Sequence, residues 1–302
     1  MRNCSVIILS YNTKKITDTA IQKAKKAAIY SEKRLRNKNE IIVVDNGSTD
    51  GSVEMLAQKH PEVISIQLPK NVGVARGYNE GMKKAKGDYI LLINNDTYLF
   101  KDTIYNAILY MEKNRNADVM YCRVVNRDKE FVPIGGHLPT PFKTIRWLLG
   151  GESIPLLRNY MKRLYTYNDY QKDFQIEWIP TCFFFMRKAV YQKTKGHDKN
   201  MFLYMEDVEF CKKINDEGFQ IWFTPTFSAM HLGGQSSVEQ MQSLFLLQKQ
   251  IEGLLYYQKK HFLNTFRLVK TFVFLGLKLR SVLFYLLGNI HKAKIYNDIV
   301  LS

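Results

Sequence analysis

The sequence predicts an α/β fold: a mostly parallel sheet flanked by helices, with a helical extension at the C-terminal end. Three observations carry this. Short all-apolar runs recur through the first hundred residues, each followed by a helical stretch. Polar clusters close three of those runs. Beyond about residue 237 the strand-like runs stop and long helical segments take over. Strands that alternate with helices imply parallel pairing with right-handed crossovers, because a parallel neighbour is reached only by crossing back over the sheet.

Val6-Ile7-Ile8-Leu9 is apolar at every position, as in a strand buried on both faces. Residues 16–35, rich in Lys and Ala, form the first predicted helix. Ile41-Ile42-Val43-Val44 is a second buried strand, stopped by the turn cluster Asp45-Asn46-Gly47-Ser48-Thr49-Asp50-Gly51. A short helix and a third strand near residues 63–67 follow, then a helix over 71–86. The fourth strand, residues 89–93, ends in Asn94-Asn95-Asp96. Residues 131–172 have weak periodicity and many aromatic and basic residues, and read as an insertion or lid. Strand character returns over 178–186 through Phe183-Phe184-Phe185. The segment 201–211 leads into a helix to about Glu217, with Gly218 as its C′ residue. Gln220-Ile221-Trp222-Phe223 is a short strand that Pro225 is expected to end. The expected organisation is a first half (1–100), a second half (101–237) and a C-terminal helical segment (238–302).

A chain of 302 residues buries a large core without staples. Its net charge of +16 points to anionic partners: diphosphates, an anionic membrane surface or nucleic acid. No nucleic-acid-binding motif accompanies the charge, so no nucleic-acid partner is expected. Cys4, Cys122, Cys182 and Cys211 are scattered, with no CxxC pair, and are expected to be reduced and mostly buried, as suits the cytosol. The N-terminus runs straight into a strand without a signal-peptide pattern. No window of about 20 uninterrupted apolar residues appears, so no ordinary transmembrane helix is expected. Residues 267–287 are apolar but interrupted by Lys270, Lys278 and Arg280. At helical spacing Arg267, Lys270 and Lys278 share a face and Arg280 does not, the pattern of a helix lying in a membrane interface. From Met241 on, nine Lys/Arg stand against Glu252 and Asp298, a balance suited to an anionic leaflet. The expected location is therefore the cytoplasm, peripheral at the cytoplasmic face of the membrane. The other reading is a helix packed on the catalytic domain or on a second subunit.

In open α/β sheets ligands bind beyond the carboxyl ends of the strands. Ser10-Tyr11-Asn12, Asp45-Asn46 and Asn94-Asn95-Asp96 should thus converge on one crevice. A dehydrogenase is disfavoured, because no G-x-G-x-x-G follows the first strand. A sugar-1-phosphate nucleotidyltransferase is disfavoured too, because Ser10-Tyr11-Asn12-Thr13 is neither Gly-rich nor basic. Asp45 can accept from a base or ribose. Asn71, Arg76 and Asn79 open the next helix, where Arg76 can reach a phosphate or sugar. Asp96 offers a carboxylate to a hard cation bound by a diphosphate. Glu206 and Asp207 at a helix start can take a proton from a hydroxyl, or merely offset the helix dipole. His231 can ligate a metal, donate to a diphosphate, or orient the loop Gly233-Gly234-Gln235-Ser236.

In order along the chain, Ser10-Tyr11-Asn12, then Val44 to Ser52, Asn71-Val72-Gly73 with Ala75-Arg76-Gly77-Tyr78-Asn79, Asn94-Asn95-Asp96, Glu206-Asp207-Val208-Glu209 and His231-Leu232-Gly233-Gly234 resemble glycosyltransferase family 2. The likeness covers about residues 3–237 and leans to the bacterial rhamnosyltransferase-like branch. It implies a GT-A fold with a nucleotide-sugar-binding half (1–100) and an acceptor-binding and catalytic half (101–237), a nucleotide-sugar donor, a Mg2+ or Mn2+ ion, and hexosyl or deoxyhexosyl transfer with inversion to a glycan or lipid-linked acceptor, in bacterial surface polysaccharide assembly. On it, Asp207 is the base and Glu206 holds the acceptor or a backbone amide. Asp96 and His231 serve the metal; Ser10, Tyr11, Asn12, Asp45, Asn46, Asn71, Arg76, Asn79, Asn94 and Asn95 line the donor site. The sequence departs from the family in three places. Asn94 stands where Asp is frequent, Lys195-Gly196-His197-Asp198 where Gly-Gly-Phe-Asp is usual, and Pro180-Thr181 where Gly-Ala is usual. The alternative is a catalytically inactive sugar- or membrane-binding protein, against which the retention of Asp96 and Asp207 weighs.

Overall fold

The structure, a computed structural model, describes residues 2–133, 135–148, 170–233 and 243–301. Most of the stretch expected to be a lid, and Gly234-Gln235-Ser236, lie outside these residues. The chain divides into two compact units, one of residues 1–136 and 169–240, the other of 137–168 and 241–302.

The first unit opens as the sequence predicts: β1 (Cys4–Ser10), α1 (Lys14–Leu35), β2 (Glu40–Asp45), α2 (Ser52–Lys59), β3 (Ile64–Gln67), α3 (Val74–Lys84) and β4 (Tyr89–Asn94). β5 (Thr97–Leu99), α4 (Thr103–Lys113) and β6 (Val119–Val125) come next. After α5 (Pro141–Leu148), which belongs to the second unit, the first resumes with β7 (Phe174–Gln175), β8 (Phe184–Arg187), α6 (Lys188–Thr194), α7 (Glu206–Asp216) and β9 (Ile221–His231). One sheet runs in the order β3-β2-β1-β4-β8-β6-β9-β5, with β7 also on β9. β3, β2, β1 and β4 are parallel neighbours. Beyond β4 the sheet becomes mixed: β8 is antiparallel to β4 and β6, β9 is parallel to β6, and β5 and β7 are antiparallel to β9.

The central strands are apolar throughout because helices cover both faces. Ile7, Ile8, Ile42, Val43 and residues 90–93 are wholly buried. Helix α3 lies so close to the sheet that a β-carbon on Gly81 would stand 2.4 Å from the Ile7 side chain. Pro225 does not end its strand. β9 continues through it to His231, and the pairing with β6 steps from Cys122–Thr224 to Arg123–Ser228. The proline occupies the bulge between those pairs, where its missing N–H costs no ladder hydrogen bond.

In the second unit α5 is joined by α8 (Ser243–His261), α9 (Leu263–Leu286) and α10 (Ile290–Leu301). Buried Gln258 of α8 donates to the Pro139 carbonyl (2.7 Å) and Thr144 Oγ1 (2.9 Å), which ties α8 to α5. α9 and α10 form a hairpin, held by Ser281 Oγ donating to the Ala293 carbonyl (2.8 Å) and by Phe284 stacked on Tyr296. No helix among the described residues is long and apolar enough to cross a membrane.

Candidate active site

The parallel register sets Ser10 beside Asp45 and Leu9 beside Asn94, so the three polar clusters leave the sheet side by side. Asn12, in a left-handed conformation (φ 50°), stitches the first two exits together. Its N–H donates to Ser48 Oγ (2.9 Å) and its Oδ1 accepts from the Thr49 N–H (2.7 Å). Asp45 turns the chain after β2 by accepting the Gly47 and Ser48 N–H groups on Oδ1 (3.2 and 2.9 Å). Its Oδ2 is buried without a hydrogen-bond partner. An orphaned buried acceptor costs roughly 1–3 kcal/mol, which a ligand N–H or O–H would recover. Tyr11 is half-buried in the loop that leaves β1, next to Asn12 in the chain.

Much of the polar side-chain set at this crevice serves as internal joints. Asn46 accepts from the Val72 N–H (2.9 Å) and donates to Asn71 Oδ1 (3.0 Å), while Asn71 Oδ1 accepts the Gly73 N–H (2.9 Å). Ser10 is 1% exposed and its hydroxyl lies 2.7 Å from Thr17 Oγ1. Asn95 donates to Thr13 Oγ1, and Asn94 accepts from the Tyr78 hydroxyl (2.9 Å). Asn79 is bound at both ends to the backbone of His197: Nδ2 to the carbonyl and Oδ1 from the N–H, each at 2.9 Å. Arg76 is exposed and donates through Nε to the Lys199 carbonyl (2.7 Å). The Val74 N–H donates to the Phe202 carbonyl (2.7 Å). Gly73 (φ +87°) permits this approach, since a β-carbon there would stand 2.5 Å from that same carbonyl oxygen.

Asp96 follows β4 and is 2% exposed. The antiparallel ladder of β5 and β9 pairs Thr97 with His231, and the Leu232 N–H donates to the Asp96 carbonyl (3.0 Å). That ladder brings His231 Nε2 to 3.1 Å from Asp96 Oδ1, although the carboxylate oxygen has no partner of hydrogen-bond geometry. A carboxylate oxygen and an imidazole nitrogen side by side, neither committed elsewhere by that geometry, suit one divalent cation of the Mg2+ or Mn2+ class. No group of three or more metal-capable side chains occurs among the described residues. Phosphate oxygens and water would complete the coordination.

Tyr204 and Met205 both take left-handed backbone angles (φ 64° and 65°) immediately before α7. Such angles in non-glycine residues are costly and gather at working sites. They aim Glu206 and Asp207, the first two residues of α7. Asp207 is half-buried and its Oδ1 accepts the Val208 N–H (2.8 Å); Glu206 is 6% exposed, with Oε2 lacking a hydrogen-bond partner. Burial pushes both carboxyls above the usual carboxylate range, and the charge of Asp207 drives Glu206 further. Two buried groups register where the clusters meet. The Cys182 thiol is pushed up to about 12, chiefly by burial, with the charges of Asp96 and Asp207 adding. The Tyr78 hydroxyl is raised by burial, with Cys182, Asp96 and Glu206 adding. Asp96 and the acidic pair thus lie within electrostatic reach of the same two buried groups.

Sequence reasoning assigned no role to Tyr78 and Thr13, which tie down Asn94 and Asn95, or to Thr17, which pairs with Ser10. The only local signal is the spacing of Thr13 and Thr17, one helical turn apart. His197, where the family has Phe, lies between Tyr78 and Phe210 (ring centroids 5.8 and 4.4 Å). Burial lowers it to about 3, so it is neutral and fills an aromatic's place.

The sequence profile of "Glycosyl transferase family 2" matches residues 5–194. An uncharacterized glycosyltransferase of Haemophilus influenzae is 29% identical over 133 residues, 39% of this chain and 53% of that protein. The rhamnosyltransferase WbbL of Escherichia coli is 23% identical over 162 residues, 53% of this chain and 59% of that one. The match thus spans little more than half the length of either relative. Among solved structures, S. aureus TarS superposes with a TM-score of 0.54 at 18% identity, covering 100% of this chain and 91% of that one. The mannosyltransferase PcManGT from Pyrobaculum calidifontis, in complex with GDP-Man and Mn2+, gives 0.55 at 13% identity, covering 97% and 73%. These likenesses establish the GT-A fold. With the family profile spanning the β1-to-α6 core that carries Asp45 and Asp96, the chain belongs to glycosyl transferase family 2.

Proposed function

We propose that this chain is an inverting, metal-dependent glycosyltransferase that moves a hexosyl or deoxyhexosyl group from a nucleotide-diphosphate donor to an acceptor hydroxyl. The observation that carries the reading is the pair Asp96–His231, drawn to 3.1 Å by the β5–β9 ladder, with the acidic pair Glu206–Asp207 at the start of α7. Asp96 and His231 would hold Mg2+ or Mn2+, which offsets the charge that builds on the departing diphosphate. Asp45 Oδ2 accepts from the base or ribose, and Tyr11 and Arg76 line the donor. Asp207 takes the proton of the acceptor hydroxyl as its oxygen bonds to the anomeric carbon and the bond to the diphosphate oxygen breaks. Attack opposite the leaving group inverts the anomeric carbon. Glu206, the more strongly raised carboxyl, keeps its proton near neutrality and donates to the acceptor or a backbone carbonyl. The GDP-Man and Mn2+ in PcManGT and the naming of WbbL as a rhamnosyltransferase support donor and metal classes of this kind. The acceptor is a glycan or a lipid-linked glycan of bacterial surface polysaccharide assembly, met at the cytoplasmic face of the membrane through the C-terminal helices. Nucleic acid is not a partner.

The test is a screen of nucleotide sugars with Mn2+ and with chelator, on wild type, Asp96→Ala and Asp207→Asn. Metal-dependent use of one donor is expected, with Asp96→Ala losing donor binding and Asp207→Asn binding donor but failing to transfer. No donor bound with or without metal would leave the inactive sugar- or membrane-binding reading in its place.

A further inference from the structure

We infer that the outward face of α9 is a lipid-contact face that lies in the plane of an anionic membrane surface, an inference that rests on the peripheral-membrane reading above. The helix has two apolar faces. Val269, Val273, Gly276, Leu277 and Ser281 are buried, and they account for its packing. Leu268, Leu275, Leu279, Val282 and Leu286 are 53%, 48%, 56%, 47% and 75% exposed. At about 100° per residue their steps of seven, four, three and four keep them within about 60° of one another, and the stripe runs about 27 Å. The hairpin turn extends it with Leu287 and Ile290, 69% and 67% exposed. A continuous apolar stripe of that length left in water marks a contact surface.

The charges choose the occupant. α9 contains Arg267, Lys270, Lys278 and Arg280 and no Asp or Glu. Across residues 263–301 six Lys/Arg stand against Asp298 alone. A second copy seated on the stripe would bring these cations toward their equivalents, with no carboxylate in α9 to pair them. An anionic leaflet supplies the complementary charge, and its acyl boundary takes the leucines to the shallow depth of an interfacial helix. With no membrane-crossing helix among the described residues, the contact is parallel to the surface.

The 302-residue chain would be floated with vesicles of phosphatidylcholine alone and of phosphatidylcholine with phosphatidylglycerol. Wild type, Leu275→Glu/Leu279→Glu and Ile29→Glu, an exposed apolar position on α1, would be compared. Because all three sites are exposed, unchanged far-UV circular dichroism and melting are expected. Wild type and Ile29→Glu should float with the anionic vesicles, less so at high salt, and the double variant should lose at least about tenfold in partitioning. Equal flotation of the double variant would overturn the face while leaving membrane binding intact. Wild type floating with neither vesicle would overturn the membrane reading and the face with it. A dimer in sedimentation that the double variant dissociates, without vesicle binding, would reassign the stripe to a second copy of the chain.

Discussion

Asn79 separates the two roles a polar side chain can have in this crevice. Its carboxamide bridges 118 residues to grip both backbone groups of His197, at 2.9 Å each. His197 is 3% exposed, so Asn79→Ala would leave a buried N–H and a buried carbonyl without the amide. Each orphaned group costs roughly 1–3 kcal/mol, and since the bonds are part-buried a loss of about 2–4 kcal/mol is expected. For a chain of this size that corresponds to a fall in Tm of roughly 4–8 °C. Below the transition, the donor KM of the folded enzyme should stay within about twofold of wild type, because uniform donor binding would be untouched. Thermal denaturation and donor kinetics on the same preparations make the comparison. A Tm within about 1 °C of wild type together with a donor KM raised more than about tenfold would refute the clamp and restore Asn79 as a donor ligand.

Glu206→Gln tests the sign of a linkage. The folded-state value of Glu206 is raised from 4.5 to about 8 by burial and the neighbouring Asp207, so the group stabilises the fold fully only while protonated in both states, and that stability is lost as pH rises toward the folded value. The melting temperature of the variant should therefore gain on wild type from about pH 5 to about pH 9; a constant or shrinking gap would refute the raised carboxyl. Burial likewise raises Asp207, to about 6, so transfer should fall as pH drops through that region, and a rate flat to about pH 4.5 would remove Asp207 as the base. Gly73→Ala forces a β-carbon to 2.5 Å from the Phe202 carbonyl at a φ of +87°, and should cost on the order of 2 kcal/mol or more and depress kcat through the displaced 198–205 loop. Unchanged melting and turnover would show that the loop does not depend on this contact.

What the sequence made legible follows the range of the interactions. β1, β2 and β4 are apolar at nearly every position because both faces are covered. Their polar exits then had to meet, as the register of Ser10 with Asp45 bears out. β5 and β7, three and two residues long, exist only because β9 offers them partners. β6 carried an ordinary strand pattern, Val-Met-Tyr-Cys-Arg-Val-Val, that sequence reasoning passed over. Pro225 was read locally as a stop, whereas a bulge absorbs its missing donor. The adjacency of Asp96 and His231 is written in the β5–β9 ladder and not in either neighbourhood; only the order of motifs pointed to it. Asn and Ser are equally fit to bind a ligand and to hold a loop, so composition alone could not assign Ser10, Asn46, Asn79, Asn94 or Asn95. For α9 the period was legible, but which of its two apolar faces is spent on the hairpin was not.

The loop before α7 connects helix α3 to the Glu206–Asp207 pair. Two adjacent non-glycine residues, Tyr204 and Met205, stand in left-handed backbone conformations, at a cost of about 1–2 kcal/mol each. Helix α3 holds the chain just ahead of them through three joints: Asn79 on His197, Arg76 on Lys199, and the Val74 N–H on Phe202. At about 0.5–1.5 kcal/mol for each hydrogen bond, these offset the strain with little surplus. The loop is thus held near balance, and the orientation of Glu206 and Asp207 depends on contacts whose other halves lie on α3. A change at Gly73, Arg76 or Asn79 is therefore expected to reach Glu206 and Asp207 through the backbone of the 197–205 loop.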